Sequence, residues 1–548
     1  MNRFLCLSLL AASLIAQTGR APGNETIQRG KLRADLFFLA GDAMRGRLTA
    51  SHEYELTAEF IASRFERLGL IGRGSNNSFF HRFDLVLGRL HDGNRMTVTA
   101  GLPARRELRV LDDFYPLIFS PSAETKGSVV FAGYGIFAPA LKWDDYGTAV
   151  KGKIALIMGG EPGAQDPKSA FDGLVTSEYA NVLRKAMWAQ DHGATGVLLV
   201  SGLQTRGSDA FPKLARTYWP AQPPHLEKYT LAVYANRIQI PVAEVSPAMV
   251  EAVLGNANLS LASLRAKAEQ GGGAATIALG AEVELRTSVK RTIVEDRSPI
   301  AMIEGSDPEL KKQAVIVSAH YDHNGADGEQ IFNGADDNAS GVAALLGIAE
   351  AYALAAAQGQ KPKRTVIFAS WGSEERCCGP LLGSWAWLED ATWPLEQVVG
   401  ALNMDMIGRS EEVPESGGPR FRGLKVQAAA QNANNVHVMG WSYSPDLSAA
   451  ATEANRTIDL GLVRKYDNNA SNLLRRSDQW PFLQRGIPAL FFHTGLHPDY
   501  HTVNDRPERI DYAKVERVAR LVHQLSWNLA QSPVRPKFDT KRIIPPPE

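Results

Sequence analysis

Four apolar segments in the second half of the chain alternate with polar loops and helical segments, and this rhythm constrains the fold most. The helical segment Gly341 to Ala357 is made almost entirely of Ala, Leu, Ile and Val on its buried side. Repeated strand, loop and helix predict an α/β domain with a mixed, largely parallel central sheet flanked by helices. The predicted strands are Ala314–Ser318, Thr365–Ser370, Gly400–Met404 and Ile487–Phe492.

Each predicted strand is followed by side chains that can bind a metal ion. Parallel strands of an open α/β sheet end at one edge, where ligands bind, so we expect these distant residues to converge. A single Asp or His after a strand is more often a helix cap or a surface group, and the prediction rests on the joint pattern. The residues are His320 and Asp322 after the first strand, Asp337 in the next loop, Glu374 and Glu375 after the second strand, Asp405 after the third and His501 after the fourth.

Five of these residues form a ligand set for two zinc ions. Imidazole and carboxylate groups bind zinc, and catalytic sites keep an open position beside three protein ligands. We assign His320 and Asp405 to one zinc, Glu375 and His501 to the other, and Asp337 to both. The charges of two zinc ions are then neutralised by the carboxylates of Asp337, Glu375 and Asp405 together with one bridging hydroxide.

The remaining two acids are predicted to have catalytic roles. Glu374, beside a ligand, is the expected general base that takes a proton from the metal-bridging water. Asp322, two residues after His320, is expected to accept the other imidazole N–H of that histidine and to orient its ring. Zinc ions would lower the pKa of the water and polarise a scissile carbonyl. Together these residues predict peptide hydrolysis without a covalent intermediate.

Length and charge limit the other possibilities. The chain has 548 residues, more than one ordinary domain, so two or three domains are expected. Lys plus Arg and Asp plus Glu both total 59. Because the charges balance, the chain has no overall field that would attract nucleic acid or an anionic membrane. We therefore expect no nucleic-acid partner.

The first residues have the pattern of a secretory signal. Arg3 precedes an apolar run from Phe4 to Ala16, and small and polar residues continue to Ala21. This pattern predicts a signal peptide over residues 1–21 and export to the periplasm or outside the cell. No later segment reaches about 18 uninterrupted apolar residues, so we expect no membrane anchor. Cleavage of this signal peptide would remove Cys6, so that Cys377 and Cys378 would be the two cysteines of the exported chain, as a vicinal disulfide or as two free thiols.

Five motifs along the chain resemble those of a known enzyme family. They are Ser318–His323, Gly334–Gly341, Ser373–Glu375, Asn403–Gly408 and Asp499–Thr502. The chain resembles the zinc metallopeptidases that include bacterial leucyl aminopeptidases, glutamate carboxypeptidase and the transferrin receptor. The resemblance implies two zinc ions, peptide substrates and metal or catalytic roles at the same seven positions. The leading hypothesis is an exported aminopeptidase.

The resemblance also implies a domain organisation. A segment from Val129 to Ala194 is similar to the protease-associated domain that is inserted in this family. Such an insert could be a substrate-access lid, an interaction module or a spacer. The expected parts are the signal peptide 1–21, an N-terminal part of the peptidase domain 27–111, the β-rich insert 112–264, the catalytic domain 265–532 and a surface tail 533–548.

The chain departs from the family pattern at two places. Arg376–Pro380 lengthen the loop after the glutamate pair, and Gln479 stands where a histidine is expected. His323, His493 and His497 lie near the predicted site in sequence, and we expect hydrogen-bonding or packing roles for them.

Three other functions stay open at this point. A carboxypeptidase for acidic C-terminal residues would need a cation near the pocket, for which Arg376 and Arg409 are candidates. A receptor-like binding protein should have lost ligands, whereas all five ligand positions are filled. Glutaminyl cyclisation of peptide N-termini is a more distant possibility. The sequence does not predict the oligomeric state.

Overall fold

A computed structural model describes residues 19–201, 210–255, 259–271, 276–376, 381–542 and 544–547. Most of the predicted signal peptide, together with Cys377 and Cys378, lies outside the described residues. The strands, in chain order, are β1 (Ile71–Gly72), β2 (Phe80–Leu90), β3 (Arg95–Ala100), β4 (Arg106–Leu108), β5 (Phe114–Pro116), β6 (Ala123–Ala132), β7 (Phe137–Ala138), β8 (Trp143–Asp144), β9 (Ile154–Met158), β10 (Gly196–Val200), β11 (Tyr229–Leu231), β12 (Val242–Val245), β13 (Thr276–Thr287), β14 (Val289–Ile303), β15 (Ala314–His320), β16 (Ala326–Asp327), β17 (Gln330–Ile331), β18 (Thr365–Trp371), β19 (Val398–Met404), β20 (Asn435–Met439), β21 (Gly461–Val463) and β22 (Ala489–His493).

The α-helices connect and cover these strands. In chain order they are α1 (Arg29–Leu39), α2 (His52–Arg67), α3 (Val182–Asp191), α4 (Ala210–Tyr218), α5 (Ala232–Arg237), α6 (Pro247–Gly255), α7 (Leu261–Ala268), α8 (Gly341–Ala357), α9 (Leu382–Glu389), α10 (Pro445–Asn455), α11 (Gln479–Gln484) and α12 (Tyr512–Gln531).

The larger sheet carries the four strands predicted from the sequence at its centre. Its order is β11-β2-β14-β18-β15-β19-β22-β20-β21, and β1 pairs with β14. Strands β18, β15, β19 and β22 run parallel, whereas β14 and β20 are antiparallel to β18 and β22. The four central strands are buried along their whole length, as expected for parallel strands that are covered on both faces. The predicted mixed α/β fold is confirmed.

Helices cover both faces of this sheet. Helices α1, α2, α8, α10 and α12 share one apolar core with it, and α9 and α11 share the other. Helix α8 is apolar around most of its surface, which is typical of a helix buried in a core. Within the described ranges, the helical stretch Ala335–Ala357 has the length and apolar composition of a membrane span, and 78% of its most apolar window is buried inside the protein.

A second unit contains its own sheet, of order β4-β3-β13-β6-β9-β10-β12-β5. Its strands extend from Arg95 to Thr287, beyond the predicted insert limits of 112 and 264. The difference arises because β3 and β6 pair with the two edges of β13. The residues of a short strand such as β3 do not specify which sheet it joins. The limits of the second unit could therefore not be predicted from the sequence.

The C-terminal tail departs from the prediction at one residue. Much of the segment after Pro533 is exposed, as expected for a surface tail. The side chain of Arg542, however, is only 7% exposed and forms an ion pair with Asp172 of the second unit. The backbone N–H of Asp539 donates to the Tyr443 carbonyl oxygen, so the tail also contacts the unit that contains the larger sheet.

Candidate metal centre

The carboxyl ends of the four central strands bring the five predicted ligands together. His320 ends β15, Asp405 follows β19, Glu375 lies in the turn after β18, Asp337 precedes α8, and His501 lies in the loop after β22. They fall into two groups that share Asp337, and within each group the donor atoms lie within 4.8 Å of one another. The residues therefore converge as expected, and their roles as ligands stay a prediction.

The first group contains His320, Asp337 and Asp405. Nε2 of His320 lies 3.3 Å from Oδ1 of Asp337 and 3.4 Å from Oδ1 of Asp405. Both ring nitrogens of His320 and Oδ1 of Asp405 are buried and have no hydrogen-bond partner in the described part of the chain. Buried polar atoms normally have a partner, and a cation bound between Nε2 of His320 and Oδ1 of Asp405 would be a partner for these two atoms.

The second group contains His501, Asp337, Glu375 and His323. Nε2 of His501 lies 2.9 Å from Oδ2 of Asp337 and 3.2 Å from Oε1 of Glu375. Nδ1 of His323 lies 2.8 Å from Oε1 of Glu375, so His323 is both the hydrogen-bonding partner that the sequence predicts and a possible fourth donor. The donor role was missed, although His323 stands only three residues after His320 in the same motif.

Asp322 holds the turn that carries the two glutamates. Its carboxylate accepts the backbone N–H of Glu374 at 2.9 Å and that of Glu375 at 3.1 Å. Its Oδ1 lies 3.6 Å from Nδ1 of His320, which is longer than a hydrogen bond. That Asp322 orients His320 stays a prediction, and the structure adds a second role for Asp322, the positioning of Glu374 and Glu375.

Glu374 lies beside both donor groups. It lines the same pocket as Asp337, Glu375 and Asp405, and it is buried. Burial raises the pKa of Glu374 well above its usual value, the charge of His320 opposes this rise, and Glu375 and Asp405 add to it. In its ionised form, a carboxylate with a raised pKa is a stronger proton acceptor, which is the property that a general base requires.

The imidazoles and carboxylates of the site compensate one another's charge. Burial alone would raise the pKa of Asp337, but His323, His320 and His501 hold it well below its usual value. Burial lowers the pKa of His501, but Glu375 and Asp337 outweigh it and raise that pKa to about 10. Since zinc binds the neutral imidazole, metal binding at these residues would release protons.

A buried arginine connects the loops that carry the predicted ligands. The Arg47 guanidinium donates to the carbonyl oxygens of Tyr321 at 2.9 Å, Leu39 at 2.6 Å, Asn333 at 2.8 Å and Gly334 at 2.9 Å. The chain turns sharply at the last of these residues, which has φ 59° and where a Cβ atom would lie 2.2 Å from the Asp337 carbonyl oxygen. Arg47 and this glycine together fix the loop that carries Asp337, the residue shared by the two donor groups.

Replacing Arg47 by Ala should lower the free energy of unfolding by about 3 kcal/mol, because buried carbonyl oxygens lose their donors. Urea denaturation of the metal-saturated protein measures this change. Arg45→Ala is the matched control, since Arg45 is exposed and has one long contact, 3.4 Å, to the Gly328 carbonyl. Equal losses in the two variants would show that Arg47 does not have this role.

The pocket beside the donors has apolar walls and one cation. Besides the acidic residues it is lined by Met406, Leu473, Arg476, Phe491, His493, Leu496 and Tyr500. Arg476 donates to the Ser471 carbonyl at 2.6 Å, and no described carboxylate pairs with it. The two arginines suggested by the sequence do not line this pocket. Arg376 donates to the His323 carbonyl at 2.9 Å, and Arg409 pairs with Asp499 at 3.1 Å.

The other polar residues singled out from the sequence contact groups at or near the site. Nδ1 of His493 lies 2.9 Å from the Asp405 carbonyl oxygen, and Nε2 of His497 lies 3.2 Å from Oδ2 of Asp336. Gln479, at the position where a histidine is expected, is buried and accepts a 3.4 Å hydrogen bond from Asn403. These contacts agree with hydrogen-bonding and packing roles.

Comparison with known proteins gives one family match and several distant relatives. Residues 299–526, which include all five predicted ligands, match the model of Peptidase family M28. A probable zinc metalloprotease of Pyrenophora tritici-repentis (strain Pt-1C-BFP) is 27% identical over 248 residues, covering 40% of this chain and 49% of that protein. A probable glutamate carboxypeptidase of Arabidopsis thaliana is 27% identical over 409 residues, covering 71% of this chain and 51% of that protein.

The chain spans about half the length of these curated relatives. Among solved structures, an aminopeptidase from Aneurinibacillus sp. strain AM-1 aligns with a TM-score of 0.47 at 16% identity, over 96% of this chain and 98% of its own. The family match begins at residue 299, so the identity of the second unit as a protease-associated domain stays a prediction.

Proposed function

We propose that this chain, whose residues 299–526 match the model of Peptidase family M28, is a zinc-dependent aminopeptidase that removes N-terminal residues from peptides. The observation that carries this proposal is the pair of donor groups that share Asp337, with the buried Glu374 beside them. A relative described as a probable zinc metalloprotease supports the choice of metal.

The donor set suits two zinc ions. The first group offers three imidazole and carboxylate donors, the number that a catalytic zinc site uses, and the second offers the same number together with His323. His320, Asp337 and Asp405 would hold one ion, and Asp337, Glu375 and His501 the other. The unsatisfied ring nitrogens of His320 and His501 fit this role. When bound, zinc supplies a Lewis acid that activates a water molecule and polarises the scissile carbonyl.

The protein side chains supply the proton transfers and the orientation. Glu374 accepts a proton from the attacking water and returns it to the amine that leaves when the peptide bond breaks. Asp322 keeps Glu374 in place by accepting the backbone amides of its turn. Apolar walls formed by Leu473, Phe491 and Leu496 would receive the side chain of the residue that is removed and exclude water from it.

Removal of the metal by a chelator should lower hydrolysis of amino-acid nitroanilides by at least about 100-fold, since zinc activates the water. Zinc should restore the rate and Mg²⁺ should not, because the donors are imidazoles and carboxylates. Metal analysis of the restored protein should give two zinc ions per chain. A zinc-loaded protein that leaves every free-amine substrate intact would contradict the aminopeptidase proposal.

Arg476 favours a second candidate, a carboxypeptidase that acts on acidic C-terminal residues. This guanidinium lines the pocket without a carboxylate partner among the described residues, and it could bind the carboxylate of a substrate. A relative described as a probable glutamate carboxypeptidase supports this alternative. Hydrolysis of N-acetylated peptides that end in Glu would favour the carboxypeptidase over the aminopeptidase. Arg476→Gln should then lose this activity.

Two remaining alternatives have less support. A receptor-like protein without activity should have lost donors, but all five positions are filled and close together. A glutaminyl cyclase is separated from the proposed enzyme by the number of zinc ions bound per chain. We also propose export to the periplasm or the medium, which cell fractionation would test.

A further inference from the structure

A segment of the second unit, Asp172–Glu178, is anchored on the wall of the substrate pocket. The Asn468 side chain accepts the Leu174 amide, and the Asn472 side chain accepts the Thr176 amide, each at 2.8 Å. Arg475 donates to the Thr176 carbonyl at 2.6 Å. Asn472 and Arg475 are the chain neighbours of Leu473 and Arg476, which line the pocket. The segment is therefore bound to the part of the chain that forms this wall of the pocket.

The centre and the end of the segment are buried against the same wall. Val175 is fully buried in an apolar cluster that also contains the pocket residues Leu473, Met406 and Leu496. Glu178 accepts a 2.9 Å hydrogen bond from the Trp480 indole, and Arg475 lies 3.3 Å from the same carboxylate oxygen. The segment therefore shares an apolar core with the pocket, although it lies in the second unit, in the connection between β9 and β10.

The start of the segment is held by Arg542 from the C-terminal tail. Its guanidinium donates to Oδ1 of Asp172 at 2.8 Å, to Oγ of Ser442 at 2.8 Å and to the Asp467 carbonyl at 2.7 Å. It also lies 4.0 Å from the centre of the Tyr443 ring. Because Asp467 directly precedes Asn468, one buried side chain connects the segment with the residues that anchor it.

We propose that Arg542 is a positioning residue for the substrate pocket, which it maintains by fixing the segment Asp172–Glu178 against the wall formed by Leu473–Arg476. The inference rests on the proposed peptidase function for its effect on substrate, but its structural part stands apart from catalysis. Arg542 touches neither the metal donors nor Glu374, so its loss should change substrate binding more than the chemical step.

Hydrogen exchange on the full-length, zinc-saturated protein tests the structural part. In Arg542→Ala, exchange of the amides in 172–178 should rise about tenfold, because local opening becomes easier when an anchor is removed. Exchange in β15 serves as the internal reference, and Lys541→Ala, an exposed neighbour, is the matched control. Unchanged exchange in 172–178 would overturn the proposal, whether or not the protein proves to be a peptidase.

Kinetics test the effect on substrate. KM should rise about tenfold in Arg542→Ala, as for other residues that position a site, while kcat stays within about twofold. Arg542→Lys should recover part of the loss, since an ammonium can pair with Asp172 but lacks the guanidinium fork. Asp172→Asn should resemble Arg542→Ala, and the double variant should be no worse than either single one. A fall in kcat with an unchanged KM would contradict the positioning role.

Discussion

Replacing Glu374 by Gln is expected to lower kcat by about 10²- to 10⁴-fold, the usual contribution of a general base. The amide keeps the shape of the side chain but cannot accept the proton of the attacking water. Zinc content should be unchanged, because Glu374 belongs to neither donor group. The measurement is steady-state kinetics combined with metal analysis of the same preparation.

The matched control for this variant is Glu415→Gln, since Glu415 is an exposed residue away from the pocket. It should have the activity and the zinc content of the parent protein. Full activity in Glu374→Gln would remove Glu374 from the mechanism. Loss of zinc together with activity would instead assign Glu374 to the metal ligands.

Replacing Asp337 by Asn should have the broadest effect on the metal centre, because Asp337 is the one residue common to both donor groups. We expect both zinc ions to be lost on dialysis and activity to fall by at least about 100-fold. This loss exceeds the usual loss of activity when a residue that only hydrogen-bonds to a metal ligand is replaced. Asp405→Asn should weaken the first group alone, and the zinc content should then fall toward one ion per chain.

Asp327→Asn is the control for these substitutions, because Asp327 is exposed and lies outside both donor groups. Metal analysis after dialysis, together with the thermal transition of each variant, separates metal loss from unfolding. If Asp337→Asn retained two zinc ions per chain, the shared-ligand arrangement would be wrong.

The sequence predicted the central sheet and the convergence of the site because both depend on local patterns. The four apolar strands and the bounds of α8, Gly341–Ala357, follow from runs of residues that must be buried. The positions of His320, Asp337, Glu375, Asp405 and His501 follow from the rule that parallel strands end at one edge. Neither step needs knowledge of long-range packing.

The tertiary structure decided which partner each polar group meets. The sequence placed Asp322 beside His320, and the structure adds the backbone amides of Glu374 and Glu375 as partners of its carboxylate. It proposed Arg376 and Arg409 as cations of the pocket, yet Arg476 lines it. The spacing of residues along a loop does not determine the direction of a side chain, so these contacts could not be predicted.

The amino-acid sequence by itself determined the α/β fold class and the residue types that meet at the end of the sheet, since burial of apolar strands and the direction of parallel strands leave few alternatives. Only the tertiary structure decided that β3 and β13 join the second sheet and that Arg542 links the tail to Asp172. Both features depend on pairing between residues far apart in the chain, whose energies are set by the complete packing and not by the local sequence.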